Sequence, residues 1–259
     1  MKILEVVSLT KCYGKRVVVS NLTFSISEGK VFGLLGPNGA GKTTTINCIF
    51  NLEDIDSGQI KIFGEELDGN EIEIKRKIGI LFENMENLFV HLRGEEQLNF
   101  TAEIYGLDKA ARKKRIEELL DFFDLTDHRS KMIDDYSKGM KKKIALASVL
   151  LVNPDFIILD EPFDGLDALT VSRLKKLIRR LKTRGKTILI TSHILSYIED
   201  VADEVAIINK GKLVYQSDTK DIRSKIRNEI TRETYSSLEE VFLDLTSETE
   251  NNNKNLSWL

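Results

Sequence analysis

The apolar residues of this chain change their spacing twice, and each change predicts a different kind of structure. Over residues 3–9 and 16–26 apolar and polar positions alternate and β-branched residues are frequent, which predicts antiparallel strands. Over residues 84–151 the apolar positions recur at helical spacing, which predicts a helical insert. Beyond residue 155, short apolar runs alternate with helical patterns. That alternation is typical of a parallel sheet with crossover helices.

The same patterns predict the bounds of single elements. Further strands are expected over residues 30–35, 58–64, 77–82, 156–159, 187–191 and 204–208, and helices over 44–50, 169–182 and 194–201. Residues 237–245 have amphipathic spacing, so we expect a last helix that packs back on the body of the protein. The remaining 246–259 are polar and predict a frayed tail.

One glycine-rich stretch lies between the strand at 30–35 and the helix that follows it. It matches G-x-x-x-x-G-K-[ST], the pattern of a phosphate-binding loop, in the strand–loop–helix order that this motif requires. Backbone N–H groups and the positive end of the helix can hold phosphates, Lys42 can reach the β and γ phosphates, and the Thr43 hydroxyl can bind Mg²⁺. We expect the nucleotide at Gly36, Pro37, Asn38, Gly39, Ala40, Gly41, Lys42, Thr43 and Thr44.

A second motif consists of four apolar residues, 156–159, followed directly by Asp160 and Glu161. Acids at the carboxyl end of a buried parallel strand lie at the ligand edge of an open α/β sheet. Asp160 can therefore hold Mg²⁺ opposite Thr43, and Glu161 is placed to orient and activate an attacking water. Phosphoryl transfer depends mainly on such positioning and charge neutralisation.

Composition narrows the possible classes of protein. A hydrophobic fraction of 41% and a charged fraction of 31% over 259 residues are ordinary for a soluble globular protein, and a net charge of −3 gives no electrostatic footprint for nucleic acid. The basic run at residues 141–143 predicts a solvated helix face. Cys12 and Cys48 have no metal or redox spacing, which favours a reduced, cytosolic compartment. The N-terminus does not read as a signal peptide, and no window approaches the roughly 18 apolar residues of a membrane span, so any membrane role is expected to come through a partner.

The order of motifs over residues 3–218 resembles the ATPase subunits of ABC transporters. That resemblance assigns Tyr13 to stacking on adenine and His193, after the strand at 187–191, to sensing the γ-phosphate. It places Ser137 and Gly139 in the signature motif that contacts ATP bound by a second subunit. Asp167 belongs to the Gly-Leu-Asp loop that follows Asp160 and Glu161.

Two positions depart from the family pattern. Lys138 and Met140 replace a glycine and a glutamine of the signature, in a variant that resembles ATPases paired with polytopic export-type permeases. Glu83 stands where the family usually carries glutamine, and its carboxylate could approach Mg²⁺ or water. The extra negative charge puts tight metal binding in the resting state in doubt.

The resemblance implies an α/β fold: a P-loop NTPase core with an N-terminal antiparallel β subdomain and an inserted α-helical subdomain. The core would span residues 1–83 and 152–222, the helical subdomain 84–151, and a C-terminal extension 223–259. It also implies ATP and Mg²⁺ as cofactors, hydrolysis within a homodimer or heterodimer of ATPase subunits, and transport, in the direction of export, through a polytopic membrane permease. Such a subunit lies peripherally on the cytoplasmic face of the cell membrane, without nucleic acid.

Two other functions stay open. One is a soluble ABC ATPase of translation or DNA repair, although such proteins usually carry two cassettes or a long coiled coil, and this chain has one P-loop and no sustained heptads. The other is a nucleotide-binding regulator with little turnover, which the presence of Glu161 disfavours. The loop at 83–89 is expected to offer an apolar groove to a permease helix. In the alternative interpretation, Leu88 and Phe89 belong to the local core.

Overall fold

A computed structural model describes residues 1–66, 72–85, 88–219, 221 and 238–246. The strands are β1 (Lys2–Tyr13), β2 (Arg16–Ser27), β3 (Val31–Leu35), β4 (Ser57–Ile62), β5 (Glu65–Glu66), β6 (Ile78–Leu81), β7 (Phe156–Leu159), β8 (Thr187–Ser192), β9 (Glu204–Asn209) and β10 (Lys212–Asp218). The helices are α1 (Lys42–Ile49), α2 (Ile72–Lys75), α3 (Gly94–Ile104), α4 (Lys109–Phe122), α5 (Lys138–Leu151), α6 (Ala168–Thr183), α7 (Leu195–Glu199) and α8 (Leu238–Thr246).

The strands form two sheets. An antiparallel sheet has the order β2-β1-β4-β5, and a six-stranded sheet has the order β10-β9-β3-β8-β7-β6. In the larger sheet β6, β7, β8, β3 and β9 are parallel, and β10 pairs antiparallel with β9 at the edge. This mixed α/β architecture confirms the predicted P-loop NTPase core with an N-terminal antiparallel β subdomain.

Burial explains the two strand patterns in the sequence. All residues of β3 and of β7 are buried, since both faces of a parallel sheet are covered, and such strands are apolar throughout. In β1, by contrast, Leu4 and Val6 are buried whereas Val7 is 46% exposed. An alternating strand of this kind has one face against the core and one in solvent.

The helical segment packs against the larger sheet. Helix α5 buries most of its residues, including Ile144 and Leu146, because it lies between β6 and the helices α3 and α4. Leu98 of α3 and Leu120 of α4 belong to the same apolar cluster as Ile157 of β7. The subdomain boundaries at 84 and 151 stay a prediction.

One short helix differs from its predicted bounds, and one strand was not predicted. Helix α7 ends at Glu199 rather than near residue 201, and just beyond this end Arg179 of α6 donates to the Asp200 carbonyl at 2.8 Å. Strand β10 was not predicted from the sequence. It follows β9 through a two-residue turn in which Lys210 and Gly211 have φ values of 49° and 77°, the conformation that joins antiparallel strands most tightly.

The C-terminal helix is confirmed as a packed element. Leu238 and Val241 of α8 are buried in the main apolar cluster, and α8 contacts α7. The predicted tail at residues 247–259 lies outside the described residues, as do 222–237. Within the part of the chain that the structure describes, no helix combines the length and apolar character needed to cross a membrane.

We expect Leu120→Ala to lower the free energy of unfolding by about 2–5 kcal/mol, because it removes a fully buried side chain and leaves a cavity. Leu169→Ala on α6 makes the same chemical change at a side chain that is 61% exposed and should cost less than about 0.5 kcal/mol. Urea denaturation of both variants provides the measurement. Equal losses would contradict the assignment of Leu120 to the core.

Candidate active site

A cleft of about 580 Å³ opens at the carboxyl edge of the parallel sheet. It is lined by Tyr13, Arg16, Val18, Asn38, Gly39, Gly41, Lys42, Thr43, Thr44, Glu83, Glu161, Asp164 and His193. Strands β3, β7 and β8 are neighbours and run in the same direction, so the residues that follow them meet at this edge. The cleft therefore brings together residues predicted from distant parts of the sequence.

The loop between β3 and α1 requires glycine where the backbone of Val18 in β2 comes close to it. Gly41 has a φ of 103°, and a Cβ there would lie 2.9 Å from the Val18 carbonyl oxygen. The turn between β9 and β10 supports the loop from outside, since the Gly211 N–H donates to the Ala40 carbonyl at 3.0 Å. A Cβ on Gly211 would lie 2.2 Å from the same Val18 oxygen. A larger residue at either glycine would displace the loop.

Lys42 is buried inside the loop with its ammonium surrounded by oxygen atoms. Its Nζ donates to the Gly36 carbonyl at 2.8 Å and to the Pro37 carbonyl at 3.5 Å. Oε1 of Glu161 lies 3.5 Å from the same nitrogen. The ammonium is thus held in the place from which it could meet the oxygens of a phosphate in the loop.

Asp160 is fully buried and bound by two hydroxyl groups. Thr43 Oγ1 donates to Oδ2 at 3.0 Å, and Thr191 Oγ1 donates to Oδ1. Burial raises the pKa of Asp160, and the two hydroxyls oppose that rise.

The oxygens of Thr43 and Asp160 fit a magnesium ion. Mg²⁺ in phosphate sites uses one or two carboxylates together with waters and phosphate oxygens, rather than a cage made entirely of protein. The described residues contain no group of three His, Cys, Asp or Glu that could hold a metal ion.

Glu161 is held from several sides in an uncommon backbone conformation. Its φ is 47°, which costs roughly 1–3 kcal/mol for a residue other than glycine. Its N–H donates to Thr191 Oγ1 at 3.0 Å, and its carbonyl accepts from Lys142 Nζ at 3.1 Å. Oε2 lies 2.9 Å from Nδ1 of His193, whereas the buried Oε1 has no hydrogen-bond partner. Oε2 is therefore bound, whereas the contact of Oε1 with Lys42 at 3.5 Å is an ion pair without a hydrogen bond.

The prediction that residues 141–143 form a solvated helix face is wrong for Lys142. Its side chain is 1% exposed and also reaches the Glu83 carbonyl at 3.5 Å. Burial lowers the pKa of Lys142. Lys141 and Lys143 are only partly exposed, with 26% and 15% of their side chains accessible, and they form ion pairs with the exposed Asp134 and Asp167.

Several cleft residues were not predicted from the sequence. Arg16 and Val18 belong to β2, and they reach the cleft because β2 packs beside the phosphate-binding loop at Gly41. Asp164 follows Glu161 by three residues and forms an ion pair with Lys138 at 2.7 Å, which lowers the pKa of Asp164. Its position close to Asp160 and Glu161 was the sequence feature that could have indicated its place in the cleft.

Ser137 and Gly139 do not line the cleft of their own chain. Ser137 caps α5 and accepts from the Met140 N–H at 3.2 Å, and its side chain is exposed. Asp167 caps α6, where its carboxylate accepts from the Thr170 N–H at 2.9 Å and from the Thr170 hydroxyl at 2.7 Å. Ser137 and Asp167 thus have local capping roles within one chain, and Gly139 lies in the first turn of α5.

A model of the ABC transporter family matches residues 19–164 of this chain. The bacitracin transport ATP-binding protein BcrA of Bacillus licheniformis is 41% identical over 82% of this chain and 68% of its own length. The chain belongs to the ABC transporter family, as an ATP-binding domain.

Other members of the family agree with this assignment. The ABC domain is 34% identical to the linearmycin resistance ATP-binding protein LnrL of Bacillus subtilis (strain 168), over 93% of the chain and 77% of LnrL. A solved ATP-binding subunit of an ABC transporter superposes with a TM-score of 0.85 at 33% identity, covering 95% of this chain and all of that one. A dimeric ATP-binding cassette with ADP and Pi, in a post-hydrolysis state, has a TM-score of 0.77 at 25% identity, over 83% of this chain and 98% of that one. This ABC domain is accordingly an ATPase that binds nucleotide.

The cap of α6 yields a stability prediction. Asp167→Ala should lower the free energy of unfolding by about 1 kcal/mol at pH 7, whereas Asp167→Asn keeps an acceptor and should cost clearly less. The hydrogen bonds from Thr170 lower the pKa of Asp167 to about 2. The extra stability from the charged form is thus present above the unfolded pKa near 3.8 and is lost as the pH falls towards 2. Urea denaturation at pH 7 and at about pH 2.5 measures these differences, and equal losses for Ala and Asn at pH 7 would contradict the capping role.

Proposed function

We propose that this chain is the ATP-hydrolysing subunit of an exporter, bound peripherally to a separate polytopic permease at the cytoplasmic face of the cell membrane. One observation carries the enzymatic part of the proposal: Lys42, Thr43, Glu161 and His193 line one cleft at the carboxyl edge of the sheet, and Asp160 lies buried behind it, bound to Thr43. The names of BcrA and LnrL refer to bacitracin transport and to linearmycin resistance. Removal of a toxic compound from the cell is one way to resist it, which supports the direction of export.

In this proposal each residue of the cleft has a separate role. Lys42 binds the β and γ phosphates, and Thr43 and Asp160 hold Mg²⁺, which neutralises charge on the phosphate oxygens when bound. Glu161 orients and activates the attacking water through Oε1, the oxygen without a hydrogen bond. His193 holds the other oxygen of Glu161 at 2.9 Å and is placed to meet the γ-phosphate.

The remaining contacts of the cleft concern the base and the metal. Tyr13 is 47% exposed at the cleft, where its ring can stack on adenine. Glu83 also lines the cleft, and we infer that its carboxylate approaches Mg²⁺ or water once nucleotide is present.

We infer that a second ATPase subunit completes the site. Ser137 and Gly139 lie outside the cleft of their own chain, at the exposed N-terminus of α5, where N–H groups and the helix dipole favour phosphate. The dimeric relative with ADP and Pi supports such an arrangement. ATP would then hold two subunits together, and hydrolysis would let them separate. The segment 84–151 would carry this motion outward as a helical subdomain.

A soluble ABC ATPase of translation or repair is the alternative, and partner binding separates the two functions. An apolar groove of about 320 Å³ lies between α3, α5 and the β6 region. Phe89, Phe100 and Ile104 line it with 53%, 39% and 58% exposure, and the two rings are in edge-to-face contact. Leu88, by contrast, packs against the core, so the predicted docking patch retains only Phe89 from this pair. The groove is suited to an amphipathic helix of the permease.

We expect Glu161→Gln to bind ATP with wild-type affinity and to lose about 10²- to 10⁴-fold in turnover, because the amide cannot accept a proton from water. Calorimetry with ATP and a phosphate-release assay give the two readouts. Glu65→Gln on β5 makes the same change at an exposed position and should leave both unchanged. Full turnover by Glu161→Gln would remove Glu161 from its assigned role.

The groove has its own prediction. Phe100→Asp should abolish recovery of the tagged chain with the membrane fraction of its native cells, since a charge in an apolar docking site is not compensated. Leu169→Asp, at an equally apolar and more exposed position on α6, is the control and should remain membrane-associated. Both purified variants should still bind ATP. The non-transport ATPase would be favoured if both variants were still recovered with the membrane fraction and the chain captured ribosomes or repair factors.

A further inference from the structure

Tyr13 is tied to the phosphate-binding loop by a chain of polar contacts that the known motifs do not include. Its hydroxyl donates to Oε2 of Glu53, and Oε1 of the same carboxylate accepts from Asn47 Nδ2 at 3.1 Å. Asn47 belongs to α1, the helix whose first residues are Lys42 and Thr43. Glu53 therefore connects the end of β1, which carries the aromatic ring, to the helix that carries the phosphate loop.

A lysine contacts both the Tyr13 ring and Glu53. Lys11 Nζ lies 5.3 Å from the centroid of the Tyr13 ring and 3.8 Å from Oε2 of Glu53. The same ammonium donates to the Asp54 carbonyl at 2.6 Å. The cation thus covers one face of the ring, while the ring still contributes to the wall of the cleft. A cation over an aromatic face is attracted by the ring electrons.

The protonation of the two central groups suits these contacts. Burial opposes ionisation of Glu53, but the hydrogen bonds from Tyr13 and Asn47 and the nearby Lys11 together lower its pKa. Burial and then the hydrogen bond to Glu53 raise the pKa of Tyr13. At neutral pH the phenol is therefore the donor and the carboxylate the acceptor. The side chains of Lys11 and Glu53 are 14% and 25% exposed, so this is a partly shielded network rather than a solvent-exposed pair.

Without such contacts a half-exposed aromatic side chain at a strand end would keep rotamer freedom, which it would lose on stacking against a base. A side chain already held in its bound orientation avoids that loss. The tether acts on the base end of the nucleotide only, because Lys42 and the loop N–H groups hold the phosphates independently of Glu53. Its contribution should thus depend on the presence of adenine.

We propose that Glu53 is a positioning residue for nucleotide binding, which holds the Tyr13 ring at a set distance from the phosphate loop through Asn47 and so increases the affinity for the base. This inference rests on the proposed function, in which Tyr13 stacks on adenine. Glu53 itself is not among the residues that line the cleft. Its effect is transmitted through Tyr13.

The test compares two ligands that share the phosphates and differ in the base. Binding of Mg-ATP and of Mg-tripolyphosphate to the purified full chain is measured by calorimetry. We expect Glu53→Ala to weaken ATP binding about 2- to 10-fold and to leave tripolyphosphate binding unchanged. Tyr13→Phe keeps the ring and removes the hydroxyl, so it should cause a similar loss. The double variant should lose no more than either single one, because both changes cut the same link.

Glu65→Ala, an exposed acid on β5, is the matched control and should bind both ligands as the wild type does. If a folded Glu53→Ala chain lost affinity for both ligands alike, the positioning role would be overturned, as it would be by unchanged ATP binding. The Tyr13→Phe variant, which leaves Glu53 intact, keeps the test valid if Glu53→Ala is unstable.

The wild-type chain separates failure of this inference from failure of the proposed function. Binding of neither ligand would contradict the nucleotide site as a whole, and the tether with it. Equal affinity for ATP and tripolyphosphate would leave the phosphate site intact but would remove base stacking by Tyr13, and with it the role inferred for Glu53.

Discussion

The site depends on one constraint, the parallel pairing of β3, β8 and β7 as neighbours in the sheet. Leu35 at the end of β3 pairs with Ser192 of β8, and Leu159 at the end of β7 pairs with Ile190. Parallel strands in register end at the same edge, so the phosphate loop, the Asp160–Glu161 pair and His193 must meet there. More than a hundred and fifty residues separate the first of these groups from the last. The apolar runs that drive strand burial are thereby also the cause of the catalytic geometry.

Precision within the cleft comes from polar contacts that lie behind the reacting groups. Thr191 binds both the Asp160 carboxylate and the Glu161 N–H, while Lys142 takes the Glu161 carbonyl. Because both backbone groups of Glu161 are bound, its positive φ can persist in the folded state. Lys142 comes from α5, the helix whose N-terminal cap is Ser137. The signature segment and Glu161 are therefore connected through Lys142 of the same helix.

The function proposed here combines two surfaces with different chemistry. The cleft is polar and holds the groups suited to phosphate, whereas the groove between α3 and α5 is apolar and presents aromatic side chains to solvent. In the proposed function this second surface contacts the membrane permease, because an ATPase of an exporter must contact a membrane partner. A non-transport ATPase would need the cleft alone.

The sequence alone determined the features that depend on local pattern. The phosphate loop, the buried strand that ends in Asp160 and Glu161, and the order of strands and helices all follow from spacing and residue type, and the fold agrees with them. A run such as residues 141–143 is different, because successive residues of a helix point about 100° apart, so only packing against the sheet decides that Lys142 is the buried lysine. The strand β10 and the link from Tyr13 through Glu53 to Asn47 were likewise decided by tertiary structure. Each depends on contacts between elements, and the spacing of residues along the chain does not specify which elements lie next to each other in space.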